Sequence, residues 1–195
     1  MGKIFCLMGK SSSGKDTIFK NLLEDKDLNL KPIISYTTRP MRTNEVEGRE
    51  YYFINKEKLD EYAIKQKVIE QRVYQTIHGP WYYATIDDGQ INLEYDNYIA
   101  IVTLEAYDNL VHYFGQRYII PIYIEVEDGL RLQRAINRER EQRSPNYEEI
   151  CRRFLADSID FSKEALIASN IKNVYQNINL DECKKSIKEA IQQYV

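Results

Sequence analysis

The chain has 195 residues, of which 43 % are hydrophobic, and this suits a single domain with a sizeable core. Its formal net charge of −3 gives no reason to expect binding to nucleic acid or to an anionic membrane. The apolar run at 4–8 is too short for a signal peptide or a membrane span. Three scattered cysteines, an odd number without C-x-x-C spacing, argue against disulfides and a zinc site. We therefore expect a cytoplasmic protein with free thiols in its core, and composition leaves its oligomeric state open.

Strands and helices alternate along most of the chain. Apolar runs predict strands at 3–8, 32–38, 97–104, 118–126 and 172–178. Apolar residues at helical spacing predict helices at 16–24, 105–114, 128–141, 147–168 and 180–194. This alternation indicates an α/β fold in which helices cover both faces of a parallel sheet.

Two segments interrupt the alternation. Residues 51–85 hold three short β-rich pieces around a predicted helix at 56–66, which is typical of a small antiparallel insertion. Residues 138–147 are highly charged and contain Ser-Pro-Asn, which predicts a mobile tip between two helices.

The segment MGKSSSGKDT at 8–17 has the G-x-x-x-x-G-K spacing of a phosphate-binding loop. A strand is predicted before it and a helix after it, so main-chain N–H groups and a helix N-terminus converge on one point. A glycine-rich surface turn is the alternative, but it would not require a lysine after the second glycine. The residues predicted to bind ATP are Gly9, Lys10, Ser11, Ser12, Ser13, Gly14, Lys15, Asp16 and Thr17.

Asp16 departs from this motif, which has a Ser or Thr hydroxyl as a magnesium ligand at that position. A carboxylate beside triphosphate oxygens is repelled unless a cation lies between them. Mg²⁺ keeps several waters and takes other ligands from substrate phosphates. We therefore expect a functional loop in which Asp16 holds Mg²⁺, through a water if not directly, with Thr17 as a secondary ligand.

A second cluster, SYTTRPMRTNEVEGREYYF at 35–53, places Arg39 and Arg42 on either side of an extended proline segment. Two guanidinium groups and a tyrosine hydroxyl are suited to a phosphomonoester dianion. Further on come Glu70 in VIEQ and the cluster WYYAT at 81–85. Taken alone, Glu70 would be assigned as an ordinary acid on a strand surface.

These motifs resemble those of guanylate kinases, which transfer a phosphate from ATP to GMP. The resemblance covers nearly the whole chain and includes the phosphate loop, S-x-T-T-R-P-x-R-x-x-E-x-x-G-x-x-Y-x-F at 35–53, I-E at 69–70, Y-x-[ST] at 83–85 and E-E-x-x-x-R-[RF] at 148–154. The second block is long and highly specific. The resemblance implies a core of 1–34, 91–137 and 148–195, a GMP-binding insertion at 35–90 and a lid at 138–147.

The resemblance also implies roles for individual residues. Those that would bind the GMP phosphate are Arg39, Arg42, Tyr51 and Tyr83. Those that would read the guanine are Ser35, Glu70, Thr85 and Glu105. Those that would stabilise the transferring phosphoryl group are Lys15, Arg153 and, from the lid, Arg140 or Arg143. Most other arginines between 131 and 153 are expected on a solvated helix face.

The chain departs from the family pattern beyond Asp16. Thr103 and Glu105 stand where aspartates are usual, and the connection at 77–80 is slightly longer. His78 and His112 are expected to be surface or packing residues. Two alternatives stay open: a ribose bisphosphate phosphokinase, whose loop also reads G-K-D, and a guanylate-kinase-like module that binds peptides without catalysis. The intact loop and the block at 35–53 favour the kinase.

Overall fold

A computed structural model describes residues 1–42, 45–76 and 79–195 of the chain. The strands within this part are β1 (Ile4–Met8), β2 (Leu30–Pro32), β3 (Tyr36–Thr37), β4 (Tyr52–Phe53), β5 (Val68–Thr76), β6 (Gly79–Ile86), β7 (Asn97–Ile101), β8 (Ile119–Glu125) and β9 (Val174–Gln176). The α-helices are α1 (Lys15–Glu24), α2 (Lys56–Ile64), α3 (Leu104–Phe114), α4 (Asp128–Arg140), α5 (Tyr147–Asp160), α6 (Lys163–Ala168) and α7 (Leu180–Gln192). A 3₁₀ helix at Gln116–Tyr118 precedes β8.

The main sheet has the strand order β2-β7-β1-β8-β9, and its described pairs are all parallel. Strand β1 is buried along its whole length, and alternate side chains enter two cores. Cys6 packs in one core with residues of α3, while Leu7 packs in the other with residues of α1 and α7. The predicted α/β fold with helices on both faces of a parallel sheet is therefore confirmed.

A second sheet has the order β4-β3-β6-β5. Its β3–β6 and β5–β6 pairs are antiparallel, but β3 and β4 are parallel, so the purely antiparallel prediction is wrong. The strand predicted at 32–38 is also wrong as one element. Its first part pairs with β7 at the edge of the main sheet, where a proline is tolerated, and residues 36–37 pair in the second sheet.

The helix predicted at 147–168 is broken in the structure. Helix α5 ends at Asp160, Phe161 turns into the core and stacks on Tyr123, and their ring centroids are 5.6 Å apart. Ser162 then caps α6 by accepting a hydrogen bond from the N–H of Ala165 at 3.3 Å. Burial of one aromatic ring therefore outweighs the continuous helical pattern.

The cysteines and histidines follow the expectations in part. Cys6 and Cys183 are buried free thiols, and burial raises the pKa of both, but Cys151 is exposed on α5. His112 is exposed on α3 as predicted, while the expectation for His78 falls outside the described residues. In the described ranges, no helix is long and apolar enough to cross a membrane.

Candidate active site

The phosphate loop connects the end of β1 to the start of α1, as predicted. Gly9 has a φ of 154°, and a Cβ there would lie 2.6 Å from the carbonyl oxygen of Ile124. Gly14 has a φ of 87°, and a Cβ there would lie 2.5 Å from Nδ2 of Asn177. Any larger residue would clash at either position, so both glycines of the motif are required by the fold.

Asn177 supports the phosphate loop by a hydrogen bond, and it was not predicted from the sequence as a site residue. It is 2 % exposed, and its Nδ2 donates to the carbonyl oxygen of Ser13 at 2.8 Å. Its own N–H donates to the carbonyl oxygen of Glu125 at 2.9 Å, which ties the end of β9 to the end of β8. The available signal was a polar amide near the end of the strand predicted at 172–178, at the carboxyl edge of a parallel sheet.

Arg131 on α4 links the phosphate loop to α5. Only 1 % exposed, it donates from Nη1 to Asp157 Oδ2 at 3.1 Å and from Nη2 to Asp128 Oδ1 at 2.9 Å. Asp157 Oδ2 also accepts from the N–H of Ser11 in the loop at 2.7 Å. The guanidinium carbon of Arg131 lies 4.2 Å from the ring centroid of Phe154. The expectation of a solvated position is therefore wrong for Arg131.

A positively charged hollow lies between the phosphate loop and the segment that joins α4 to α5. The charged side chains that line it are Lys15, Asp16, Arg42, Arg138, Glu139, Arg143 and Arg153. Burial lowers the pKa of Lys15, the nearby Asp16 and Asp157 raise it, and Arg153 lowers it further. The structure thus brings Arg143 and Arg153 to Lys15, together with Arg138, which was not among the predicted site residues.

The other residues predicted to bind ATP or to act on its phosphates lie at the edge of this hollow or outside it. Arg140 is exposed and does not line this hollow, whereas Arg138 donates from Nη2 to Ser12 Oγ at 3.4 Å. Asp16 and Thr17 are exposed in the first turn of α1. Within the described ranges, no group of three or more His, Cys, Asp or Glu side chains is arranged to hold a metal ion.

A cleft of about 530 Å³ separates the phosphate loop from the second sheet. Gly9, Ser11 and Lys15 line it on the loop side. Facing them are residues of the second sheet and its flanking segment: Ser35, Arg42, Tyr51, Arg72, Tyr74 and Tyr83. Two groups of phosphate-binding side chains predicted from separate motifs therefore face each other across one cleft.

Arg39 lies beside this cleft and does not line it. It is 4 % exposed, its Nη1 donates to Glu45 Oε2 at 2.7 Å, and its guanidinium carbon is 5.0 Å from the ring centroid of Tyr51. The hydrogen bond from Arg39 lowers the pKa of Glu45 from 4.5 to about 2, and the same pair raises the pKa of Arg39. Glu45 also accepts from the N–H of Arg42 at 2.8 Å, so one carboxylate organises both arginines.

The residues predicted to bind guanine lie in two different places. Glu70 is 4 % exposed and accepts from the hydroxyl of Thr85 at 2.8 Å, so these two lie together, and Ser35 lines the adjoining cleft. Glu105 is exposed in the first turn of α3 and lines a neighbouring cleft with Asp160 instead. Thr103 lines both clefts and caps α3.

A G-x-x-x-x-G-K loop between a strand of a parallel sheet and the helix that follows it defines the P-loop class of nucleotide-binding proteins, and this chain has such a loop between β1 and α1. The family model of guanylate kinase matches residues 1–194. The chain belongs to the guanylate kinase family.

Individual relatives are similar over their full lengths. A guanylate kinase of Mycoplasma mobile is 31 % identical, with 100 % of this chain and 94 % of the relative covered. One from Porphyromonas gingivalis is 28 % identical, with 100 % and 99 % covered. The crystal structure of guanylate kinase from Anaplasma phagocytophilum matches with a TM-score of 0.69, covering 98 % of this chain and 85 % of that one. At 18 % identity, this last likeness concerns the fold.

Proposed function

We propose that this protein transfers the γ-phosphoryl group of ATP to GMP, and also to dGMP, to form the nucleoside diphosphates. Membership of the guanylate kinase family supports this activity. The observation that carries it is the cleft in which the phosphate loop faces Arg42, Tyr51 and Tyr83. A donor phosphate on the loop and an acceptor phosphate on these side chains would face each other across one cleft, as in-line transfer requires.

On the donor side, the loop 9–17 binds the phosphates of ATP through its main-chain N–H groups and the N-terminus of α1. Lys15 supplies a positive charge to the β- and γ-phosphates. Arg143 and Arg153 reach the same hollow and stabilise charge on the transferring group, whereas Arg140 needs a lid movement to take part. Phosphoryl transfer needs no covalent protein intermediate, so positioning and electrostatics supply the rate.

On the acceptor side, Arg42, Tyr51 and Tyr83 bind the phosphate of GMP, with Arg39 held against them by Glu45. Ser35, Glu70 and Thr85 read the base. Glu105 lines the neighbouring cleft, and it contacts the base when the two clefts move closer together. Adenine would leave the buried carboxylate of Glu70 facing a lone pair, and an unpaired buried group is the basis of strong discrimination.

The donor set fits Mg²⁺ bound chiefly by the nucleotide. Asp16 offers one exposed carboxylate beside Lys15, and Thr17 follows with a hydroxyl. Mg²⁺ accepts such a sparse protein contribution because phosphate oxygens and waters complete its octahedron. When bound, it would neutralise charge on the β- and γ-phosphates.

We further propose that the chain works as a core of 1–34, 91–137 and 148–195, an insertion at 35–90 and a lid at 138–147. Closure of the insertion and lid over both nucleotides excludes water, which would otherwise accept the phosphoryl group. No nucleic acid or membrane takes part in such a reaction, and a cytoplasmic location suits its substrates.

A coupled ADP-release assay tests the proposal, with GMP, dGMP, AMP and ribose 1,5-bisphosphate as acceptors and with Mg²⁺ supplied or chelated. We expect turnover with both guanine nucleotides, little with AMP, and none without Mg²⁺. Activity with the sugar bisphosphate alone would identify a ribose bisphosphate phosphokinase. No turnover with any acceptor, alongside peptide binding, would identify a non-catalytic module.

A further inference from the structure

Arg72 forms an ion pair with Glu70 inside the proposed base-reading pocket. The two residues are separated by one position on β5, so their side chains leave the same face of the strand. Arg72 donates from Nε to Glu70 Oε2 at 3.0 Å and from Nη2 to Oε1 at 3.3 Å. Across the sheet, Thr85 lies opposite Glu70, and Tyr83 lies opposite Arg72.

Burial makes this pair more than a surface contact. The side chain of Glu70 is 1 % exposed and that of Arg72 is 21 % exposed. A carboxylate so deeply buried requires a partner, and Arg72 provides one when no base is present. Arg72 also lines the cleft itself, and its two bonds to Glu70 leave the Nη1 amine free of any acceptor in the described part of the chain.

The two oxygens of Glu70 are nearly saturated by these contacts. Oε1 accepts from both Thr85 and Arg72, and Oε2 accepts from Arg72. Each carboxylate oxygen has two lone pairs, so guanine N1–H and N2–H cannot both bind unless one bond yields. The 3.3 Å bond from Arg72 Nη2 is the longest and weakest of the three, and it belongs to a side chain that reaches the cleft.

We propose that Arg72 is a specificity-determining residue: guanine displaces its Nη2 group from Glu70 Oε1, and its guanidinium then donates to O6 of the base. This inference rests on the proposed function. Guanine presents an acceptor at O6 beside the donors N1–H and N2–H. Arg72 and Glu70 together offer one donor and two acceptors, which is the hydrogen-bonding pattern of cytosine. Adenine lacks the donors that displace Arg72, and its amino group at C6 would meet N–H donors.

The test compares GMP with 6-thio-GMP, which keeps N1–H and N2–H but replaces O6 by sulfur, a weak acceptor. The ratio of kcat/KM for the two acceptors is measured in the wild type, Arg72→Ala and Arg72→Lys. Gln71→Ala is the matched control, because Gln71 is exposed on the opposite face of the same strand. The Kd of GMP, measured by calorimetry, gives a readout independent of turnover.

We expect the wild type to favour GMP over 6-thio-GMP. Arg72→Ala should lower kcat/KM for GMP by about tenfold to a hundredfold, the range for hydrogen bonds to charged groups. The loss for 6-thio-GMP should be smaller, so the ratio falls toward one. Arg72→Lys keeps a charge and a donor and should recover part of the ratio, while Gln71→Ala should leave it unchanged.

Three results would overturn the inference. Equal losses for both acceptors would mean that Arg72 only positions Glu70. A gain in kcat/KM would mean that Arg72 merely blocks the carboxylate, and a wild type without preference would mean that O6 is not read through a hydrogen bond. If Arg72→Ala fails to fold, Arg72→Lys takes its place in the first comparison, and equal losses for both acceptors in that variant overturn the inference in the same way. Failure of the proposed function is distinct, since the wild type would then not phosphorylate GMP.

Discussion

Replacing Arg131 by methionine should destabilise the protein more than replacement of any exposed arginine. Removal of one partner from a buried ion pair costs about 3–5 kcal/mol. The lower end applies here because Asp157 keeps its bond from Ser11 and Asp128 is 48 % exposed and can be hydrated. At about 2–4 °C per kcal/mol for a chain of this size, 3 kcal/mol corresponds to a fall in Tm of about 6–12 °C.

Urea and thermal unfolding monitored by circular dichroism measure this loss, with Arg152→Met as the control. Arg152 forms an exposed pair with Glu149 within one helix, and such pairs contribute about 0.3–0.5 kcal/mol. Because Arg131 also fixes the loop through Asp157, the KM for ATP should rise in Arg131→Met below its Tm. Equal stability of the two variants would refute the assignment of Arg131 as a buried link between α4, α5 and the phosphate loop.

Three further substitutions test the site. Lys15→Met should abolish ADP release in the coupled assay while leaving the unfolding midpoint nearly unchanged; an active variant would contradict its role at the phosphates. Arg42→Ala should raise the KM for GMP with a smaller effect on kcat, and an unchanged KM would remove it from the acceptor site. Glu45→Gln should be less stable than the wild type at pH 7. The pKa of Glu45 falls from 4.5 to about 2 on pairing with Arg39, so this difference is complete above pH 4.5 and disappears as the pH falls to 2. Urea unfolding at several pH values measures it, and a pH-independent difference would refute the linkage.

Local patterns predicted much of the fold. The buried strands β1, β7 and β8 are continuous apolar runs, and the phosphate loop is one contiguous motif between a strand and a helix. Each can be recognised from neighbouring residues alone, because the apolar run of a buried strand and the glycines and lysine of the loop are contiguous in the sequence. The helix from 16 to 24 and the helix α7 follow from the same kind of periodicity.

Features that depend on distant contacts were not predictable in the same way. In the sequence, Arg131 is one of several charged residues on a polar helix. Only its ion pair with Asp157 in α5 explains its burial. Asn177 ends a weak strand, and its function depends on Ser13, which is 164 positions away. The chain at 32–38 is uniformly β-rich, so its division between two sheets depends on which strands lie beside each half. Sequence periodicity carries no information on such pairings.

The charge of the site differs from that of the whole chain, and this difference links fold to function. The net charge is −3, yet five cations and two carboxylates line the hollow around Lys15. These five cations come from separate parts of the chain: Lys15 from α1, Arg42 from the segment before β4, Arg138 from α4, Arg143 from the segment between α4 and α5, and Arg153 from α5. Bringing like charges together opposes folding. At Lys15, the carboxylates of Asp16 and Asp157 offset part of the repulsion from the neighbouring arginines. A bound polyphosphate would compensate the charge of all five cations at once, and its binding would therefore stabilise the arrangement that brings these parts of the chain together.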